Sequence, residues 1–334
     1  MKIKIAKLPK SEVEIEGELT EEIFESYYRQ ALEKLGSSLE IPGFRKGKAP
    51  ENVLLANLGE MKILEEMASS ALAEHYPRIL EAEKIDAIGR PAITITKLAR
   101  KNPLGFKIQT AVLPVIKLAD YKKIAKQVKS EIPESEKRIE VTEEEVEKTI
   151  EEIRKSRAPK EGAPPELDDN FAKSLGPFEN LADLRSKLRE NIRLEKENRA
   201  REKTRLKIVE KIIAESKMDL PELLAELELD KMFYRMESDI SRMGLKIEDY
   251  LTQVKKTRED LRKELRVDAE NKAKLELILN EIAKLEKLSP DGETVKKEVA
   301  HILEHYQDAD PERAWARAEN ILTNEKVFQF LEQA

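Results

Sequence analysis

Charged and apolar residues alternate over Lys2–Leu8 and again over Glu12–Glu18, the period of two expected of strands that bury one face. The period then changes. Thr20 stands where a helix N-cap would, and Ile23, Phe24, Tyr27, Ala31, Leu32 and Leu35 follow at helical spacing up to Gly36, which predicts a helix ending there. Residues 42–50 read as a loop. A helix from about Glu51, a longer one over Glu60–Ala82 and strands over Ala92–Leu98 and Phe106–Leu113 complete the region. Strand pairs bracketing helices predict an α+β domain over residues 1–118, a small sheet covered by helices.

Residues 119–140 carry scattered apolar side chains, Pro133 and many charges, and read as an extended linker. Thr142 and Glu145 then have the S/T-x-x-E spacing of a capping box, which opens a helix to about Arg157. Three prolines and one glycine lie in 158–165, so 141–165 reads as a capped helix with a Pro-rich junction. From 166 to 334 the pattern is helical throughout, predicting an all-α C-terminal domain with long arms. Leu181, Leu184, Leu188 and Ile192 form one stripe and Leu206, Val209 and Ile213 another, whereas 195–205 has Ala200 as its single apolar residue. One helix over Asn180–Ser216 would be about 55 Å long, with buried ends and a middle crossing solvent. Further helices are predicted from Pro221 to Gly244, over Glu248–Lys256, Arg258–Leu288 and Glu293–Tyr306, and over Pro311–Glu332, where Asp310 caps and Pro311 takes the first turn. No repeat of fixed period is present.

Composition narrows the chemistry. Charged residues make up 38% of the 334 and aromatics 5%, which suits solvent-washed helices better than an aromatic-lined pocket. A net charge of −6 argues against a general nucleic-acid coat, so any RNA contact needs a local basic patch. With no cysteine, disulfides, thiolate nucleophiles and Cys-based zinc sites are excluded. No apolar run approaches the ~18–20 residues of a membrane span, and the N-terminus lacks a signal-peptide core, so a soluble, cytoplasmic protein is expected.

Residues 41–50 (IPGFRKGKAP) are the most informative segment. Pro42, Gly43, Gly47 and Pro50 keep it out of helix, and Phe44 stands beside Arg45, Lys46 and Lys48. An aromatic anchor among cations suits docking on phosphate and acidic side chains. The plainer reading is a solvated basic loop whose phenylalanine folds back onto its own domain. Farther on, Leu229, Met232, Phe233, Met236, Ile240 and Met243 share a helix face, and four of the seven methionines fall within 218–243. Such a face is ordinary core, or, because methionine adapts its shape, part of a surface for varied apolar partners. His301, Glu304 and His305 match H-x-x-E-H, but the setting is an ordinary amphipathic helix, and no metal or other cofactor is expected. No Gly-rich phosphate loop, nucleophile elbow or defensible carboxylate pair is present, so no catalytic residue is assigned.

The 41–50 loop resembles the Gly-Phe-Arg-x-x-Lys-x-Pro signature of the trigger factor family, with Gly43, Phe44, Arg45, Lys48 and Pro50 in register and Lys46 at a typically basic position. Residues 165–173 (PELDDNFAK), Leu220–Glu222 and the Leu261–Leu288 helix are also similar to the family's C-terminal region. The resemblance implies an ATP-independent holdase chaperone. Gly43, Phe44, Arg45, Lys46, Gly47 and Lys48 would contact the large ribosomal subunit near the exit tunnel, through ribosomal protein and rRNA. The helical domain would shield unfolded nascent polypeptides, with weak self-association through the N-terminal domain off the ribosome and no membrane partner. The sequence departs from the family in one respect. Only 158–164 lies where family members carry an FKBP-like prolyl-isomerase domain, so isomerase activity is not expected. The alternatives are an isomerase nonetheless, a ribosome-bound interaction factor without chaperone action, and a processed periplasmic chaperone.

Overall fold

The computed structural model describes residues 2–42, 44, 49–158, 164–306 and 308–334. The loop residues Gly43 and 45–48, and 159–163 of the Pro-rich junction, lie outside that set.

Strands β1 (Lys2–Leu8) and β2 (Glu12–Leu19) lead into helices α1 (Glu21–Ser26), α2 (Tyr28–Ser38), α3 (Glu51–Leu58) and α4 (Glu60–Glu83), followed by strands β3 (Ala87–Lys97) and β4 (Leu104–Val112). The sheet is antiparallel in the order β1-β2-β4-β3. Val13, Ile15 and Leu19 of β2 and Leu104, Phe106 and Ile108 of β4 alternate inward against Phe24, Ile63, Met67, Leu72 and Ile79 of the helices. This core is why the period-two segments become strands. Gly36 does not end the predicted helix. The break falls at Tyr27, and Gly36 sits buried inside α2, where a Cβ would press on Leu54 at 3.2 Å. Its lack of a side chain serves helix packing rather than termination.

The remaining helices are α5 (Tyr121–Ser130), α6 (Glu134–Lys137), α7 (Glu143–Ser156), α8 (Asp169–Leu175), α9 (Leu181–Glu215), α10 (Glu222–Arg242), α11 (Ile247–Val254), α12 (Arg258–Leu285), α13 (Gly292–His305) and α14 (Pro311–Gln333). The chain forms two compact units, one of Met1–Lys117 with Met218–Glu276, the other of Leu118–Lys217 with Leu277–Ala334. The stretch from 166 onward is therefore shared between two units rather than forming one.

In the first unit the α10 end is fastened to the sheet. The turn between β1 and β2 places Ser11 so that its N–H donates to the Asp219 carboxylate at 3.0 Å and its hydroxyl to the Asp219 carbonyl at 2.6 Å, while Lys10 pairs with Glu222 at 2.6 Å. Gly89, at φ +72°, lies so close to Leu223 that a Cβ would stand 2.3 Å from its Cδ2. The left-handed backbone favours glycine there, and any side chain would have to displace the Leu223 methyl.

In the second unit residues 119–140 are not an extended linker. Asp120 caps α5, which buries Ile124, Ala125 and Val128 and packs along α9. The capping box of Thr142 and Glu145 forms as predicted. The 35-residue α9 is continuous, but its middle does not cross open solvent. Arg185, Arg189, Lys196 and Lys203 pair with Glu147, Glu143, Glu145 and Glu136 on the segment alongside. A charged stretch is stabilised there by opposite charge instead of apolar cover. Near its other end Arg205 gives paired bonds to Glu325 and Glu332 of α14 and stands over Phe328, 5.1 Å from the ring centre.

Candidate functional site

Two places in the first unit hold exposed apolar groups on built supports. The first is the loop between α2 and α3. Leu39, Ile41 and Ala49 pack against the sheet core, and Pro50 opens α3 in extended conformation. The Tyr28 hydroxyl donates to Glu51 at 2.6 Å, and the Arg100 guanidinium lies over the Tyr28 ring at 3.7 Å while binding Glu25. Bonds from Arg100 and the backbone of Lys101 hold the Glu25 carboxyl below its ordinary range. Between these pinned ends Phe44 donates its N–H to the Ile41 carbonyl at 3.1 Å and leaves its side chain 43% exposed. An aromatic ring left in solvent on an anchored turn costs apolar exposure that its own domain does not recover. Of the other predicted loop residues, Gly43, Arg45, Lys46, Gly47 and Lys48 lie outside the described residues.

The second place is α10. Its predicted face divides. Leu229, Phe233 and Ile240 are buried, Phe233 with Leu251 and Leu261 as a small core against α11 and α12. Met232 and Met236 are half-buried, and Met243 is 75% exposed. These three methionines line an open groove of about 450 Å³ with Leu245, Tyr250 and Leu265. The last three were not singled out in the sequence, although Ile247, Tyr250 and Leu251 on α11, and Leu261 and Leu265 on α12, repeat at helical spacing. Arg262 and Arg266 of α12 brace it against α10 through Glu226, Asp230 and Glu222, and Arg266 also pairs with Glu270 on its own helix. Glu222, bonded by Lys10 and then Arg266, is held below the usual carboxylate range. Ion pairs thus hold α10 and α12 together, while flexible thioethers make up part of the lining, with Arg235, Asp239 and Lys272 at its edge.

His305 Nδ1 lies 3.0 Å from the His301 carbonyl. Among the described residues no group of three or more His, Cys, Asp or Glu could hold a metal ion, and no helix is long and apolar enough to cross a membrane.

Comparison with known proteins gives consistent results. A family model described as bacterial trigger factor protein matches residues 1–153, and a second, for the trigger factor C-terminus, matches 180–331. Trigger factor of Halothermothrix orenii is 27% identical over 385 aligned positions, covering 90% of each chain. Trigger factor of Moorella thermoacetica is 27% identical over 397 positions, covering 94% of this chain and 89% of the relative. Both alignments are longer than the 334 residues here, so each relative carries residues with no counterpart. A solved structure described as "Promiscuous Substrate Recognition in Folding and Assembly Activities of the Trigger Factor Chaperone" superposes with a TM-score of 0.60 at 19% identity, covering 100% of this chain and 99% of that one.

Proposed function

Because the chain belongs to the trigger factor family, we propose that it is a cytoplasmic, ribosome-associated holdase chaperone that works without ATP and without prolyl isomerisation. Residues 43–48 dock on the large ribosomal subunit, with Phe44 as the apolar anchor and Arg45, Lys46 and Lys48 meeting phosphate or acidic side chains. The groove of Met232, Met236 and Met243 shields apolar segments of unfolded chains, and Leu229, Phe233 and Ile240 hold its helix in place.

The observation that carries this reading is the exposed Phe44 on a pinned turn, inside the family's own signature and ahead of a matched C-terminal half. The isomerase alternative is disfavoured because the two matched regions leave only residues 154–179 between them, too few for a second domain.

The test is co-sedimentation with purified bacterial ribosomes across a salt series. The wild-type protein pellets, progressively less as salt rises, and Phe44→Ala/Arg45→Ala/Lys46→Ala stays in the supernatant. Equal pelleting of both proteins, or of neither, removes the docking role. In parallel, Met236→Lys reduces suppression of client aggregation, and a proline-peptide assay gives the background rate.

A further inference from the structure

Tyr27 and Tyr28 stand at the break between α1 and α2, and each hydroxyl donates to a carboxylate on another helix. Tyr27 is buried and reaches Glu74 of α4 at 2.7 Å. That bond joins helices whose apolar faces already meet in the sheet core. Tyr28 is half-buried and reaches Glu51, the first residue of α3, at 2.6 Å. Its setting differs, because α3 is short and begins where the loop carrying Phe44 ends.

The apolar hold on α3 is narrow. Leu54 is its buried residue and lies against Gly36 of α2, while Leu55 and Leu58 are only half-buried. A hold at one point fixes where a helix of about two turns lies better than where it points. Pro50, at the N-cap, offers no side-chain bond, so the loop end of α3 has no cap of its own. The Tyr28–Glu51 bond acts there, about one turn before Leu54. The two points together set the direction in which Pro50 and Ala49 enter the helix.

The Tyr28 ring is itself steadied. The Arg100 guanidinium lies over it at 3.7 Å and is fixed to both Glu25 oxygens, at 3.0 and 3.1 Å. Glu25 also accepts from the Lys101 N–H at 2.8 Å. Side chains from α1, α2 and the turn after β3 therefore converge on the first residue of α3. The Tyr28–Glu51 bond is open to solvent, so it adds little to global stability. Its consequence is directional.

We infer that Tyr28 and Glu51, steadied by Arg100, are positioning residues for ribosome docking: they hold the base of the loop that carries Phe44, so that less conformational freedom is lost when it docks. Neither touches the ribosome. The inference rests on the docking role proposed for the loop and adds the residues that act through it.

The experiment titrates the labelled full chain with purified bacterial ribosomes at several salt concentrations. Tyr28→Phe, which keeps the ring and removes the donor, weakens binding about three- to tenfold, the worth of one hydrogen bond. The slope of affinity against salt stays as in the wild type, because no phosphate contact is removed, whereas Lys46→Ala flattens it. Glu51→Ala and Glu51→Gln remove the same charge, but the glutamine still accepts the Tyr28 hydroxyl. Glu51→Ala therefore binds about three- to tenfold more weakly than Glu51→Gln, and adding Tyr28→Phe to Glu51→Ala costs nothing further. The urea midpoint and suppression of client aggregation are unchanged by Tyr28→Phe. Wild-type affinity in Tyr28→Phe, equal affinities of the two Glu51 variants, or additive losses in the double variant overturn the inference. So does a flattened salt slope in Tyr28→Phe, which makes the hydroxyl a contact, or a urea midpoint that falls in step with affinity, which assigns the bond to stability alone. If Phe44→Ala/Arg45→Ala/Lys46→Ala abolishes binding while Tyr28→Phe does not weaken it, this inference falls and the docking role stands. No binding by the wild-type protein removes both.

Discussion

Helices α4 and α9 are both long, and opposite forces hold them. α4 inserts Ile63, Leu64, Met67, Ala68, Ala71, Leu72 and Ile79 into the sheet core. α9, half as long again, buries only Leu184, Ile208, Val209 and Ile212, and its remaining length is held by ion pairs. Apolar burial responds little to salt or pH, whereas exposed pairs respond to both. The two helices belong to different units, so their responses can be separated within one protein.

The largest effect is expected from Met67→Ala, which empties a fully buried position of α4. Urea denaturation should show a loss of about 2–5 kcal/mol, the same at low and high salt. A strong salt dependence would break the contrast. Arg205→Met comes next, since it strips Glu325 and Glu332 of a guanidinium that is 17% exposed. A loss of about 1–2 kcal/mol is expected, at the low end because Glu325 is partly solvated. Hydrogen exchange in α9 and α14 should quicken while α4 is unchanged, and Arg205→Lys should restore little because the paired fork is lost.

Titration sharpens the same comparison from both ends of the scale. Arg205 holds Glu325 below the ordinary glutamate value of 4.5, so that contribution is intact above 4.5 and is lost as pH falls below it. Acid should therefore loosen α9 against α14. On the α4 side, burial and the bond to Glu74 raise Tyr27 from 10 to about 12, so its contribution is complete below pH 10 and disappears as pH rises toward 12. Alkali should loosen α4 first, as read by exchange of its amides. The smallest effect belongs to Lys203→Ala, whose pair with Glu136 is open to solvent and should leave the unfolding midpoint unmoved.

Much of this was legible in the chain. The alternation of Lys2–Leu8 and Glu12–Leu19, the capping box at Thr142 and the Asp310 and Pro311 helix start are local signals, and local physics reads them. α5 was not legible because Lys122, Lys123, Lys126 and Lys129 equal its apolar residues in number, and the burial of Ile124, Ala125 and Val128 depends on a helix far along the sequence. The cover over α9 was hidden for a related reason: polar composition says that a surface is not apolar, not that it is bare. On α10 the apolar stripe is wider than one neighbour can cover. The spacing names all six residues, but only α11 and α12 decide that Phe233 turns inward and Met243 outward.

The fastening of Ser11 to Asp219 and of Lys10 to Glu222 also sets an order of events. The sheet core is assembled entirely from residues before 113, so it can close while later codons are still untranslated. Its partner helix begins only after 118–217 have been made, about 5–20 s later at ordinary elongation rates. For that interval the newborn protein is a finished sheet with the Gly89 notch open and the Lys10–Ser11 turn unclaimed. A chain that begins life this way passes through a stage in which the polar groups that later fasten α10 face only water.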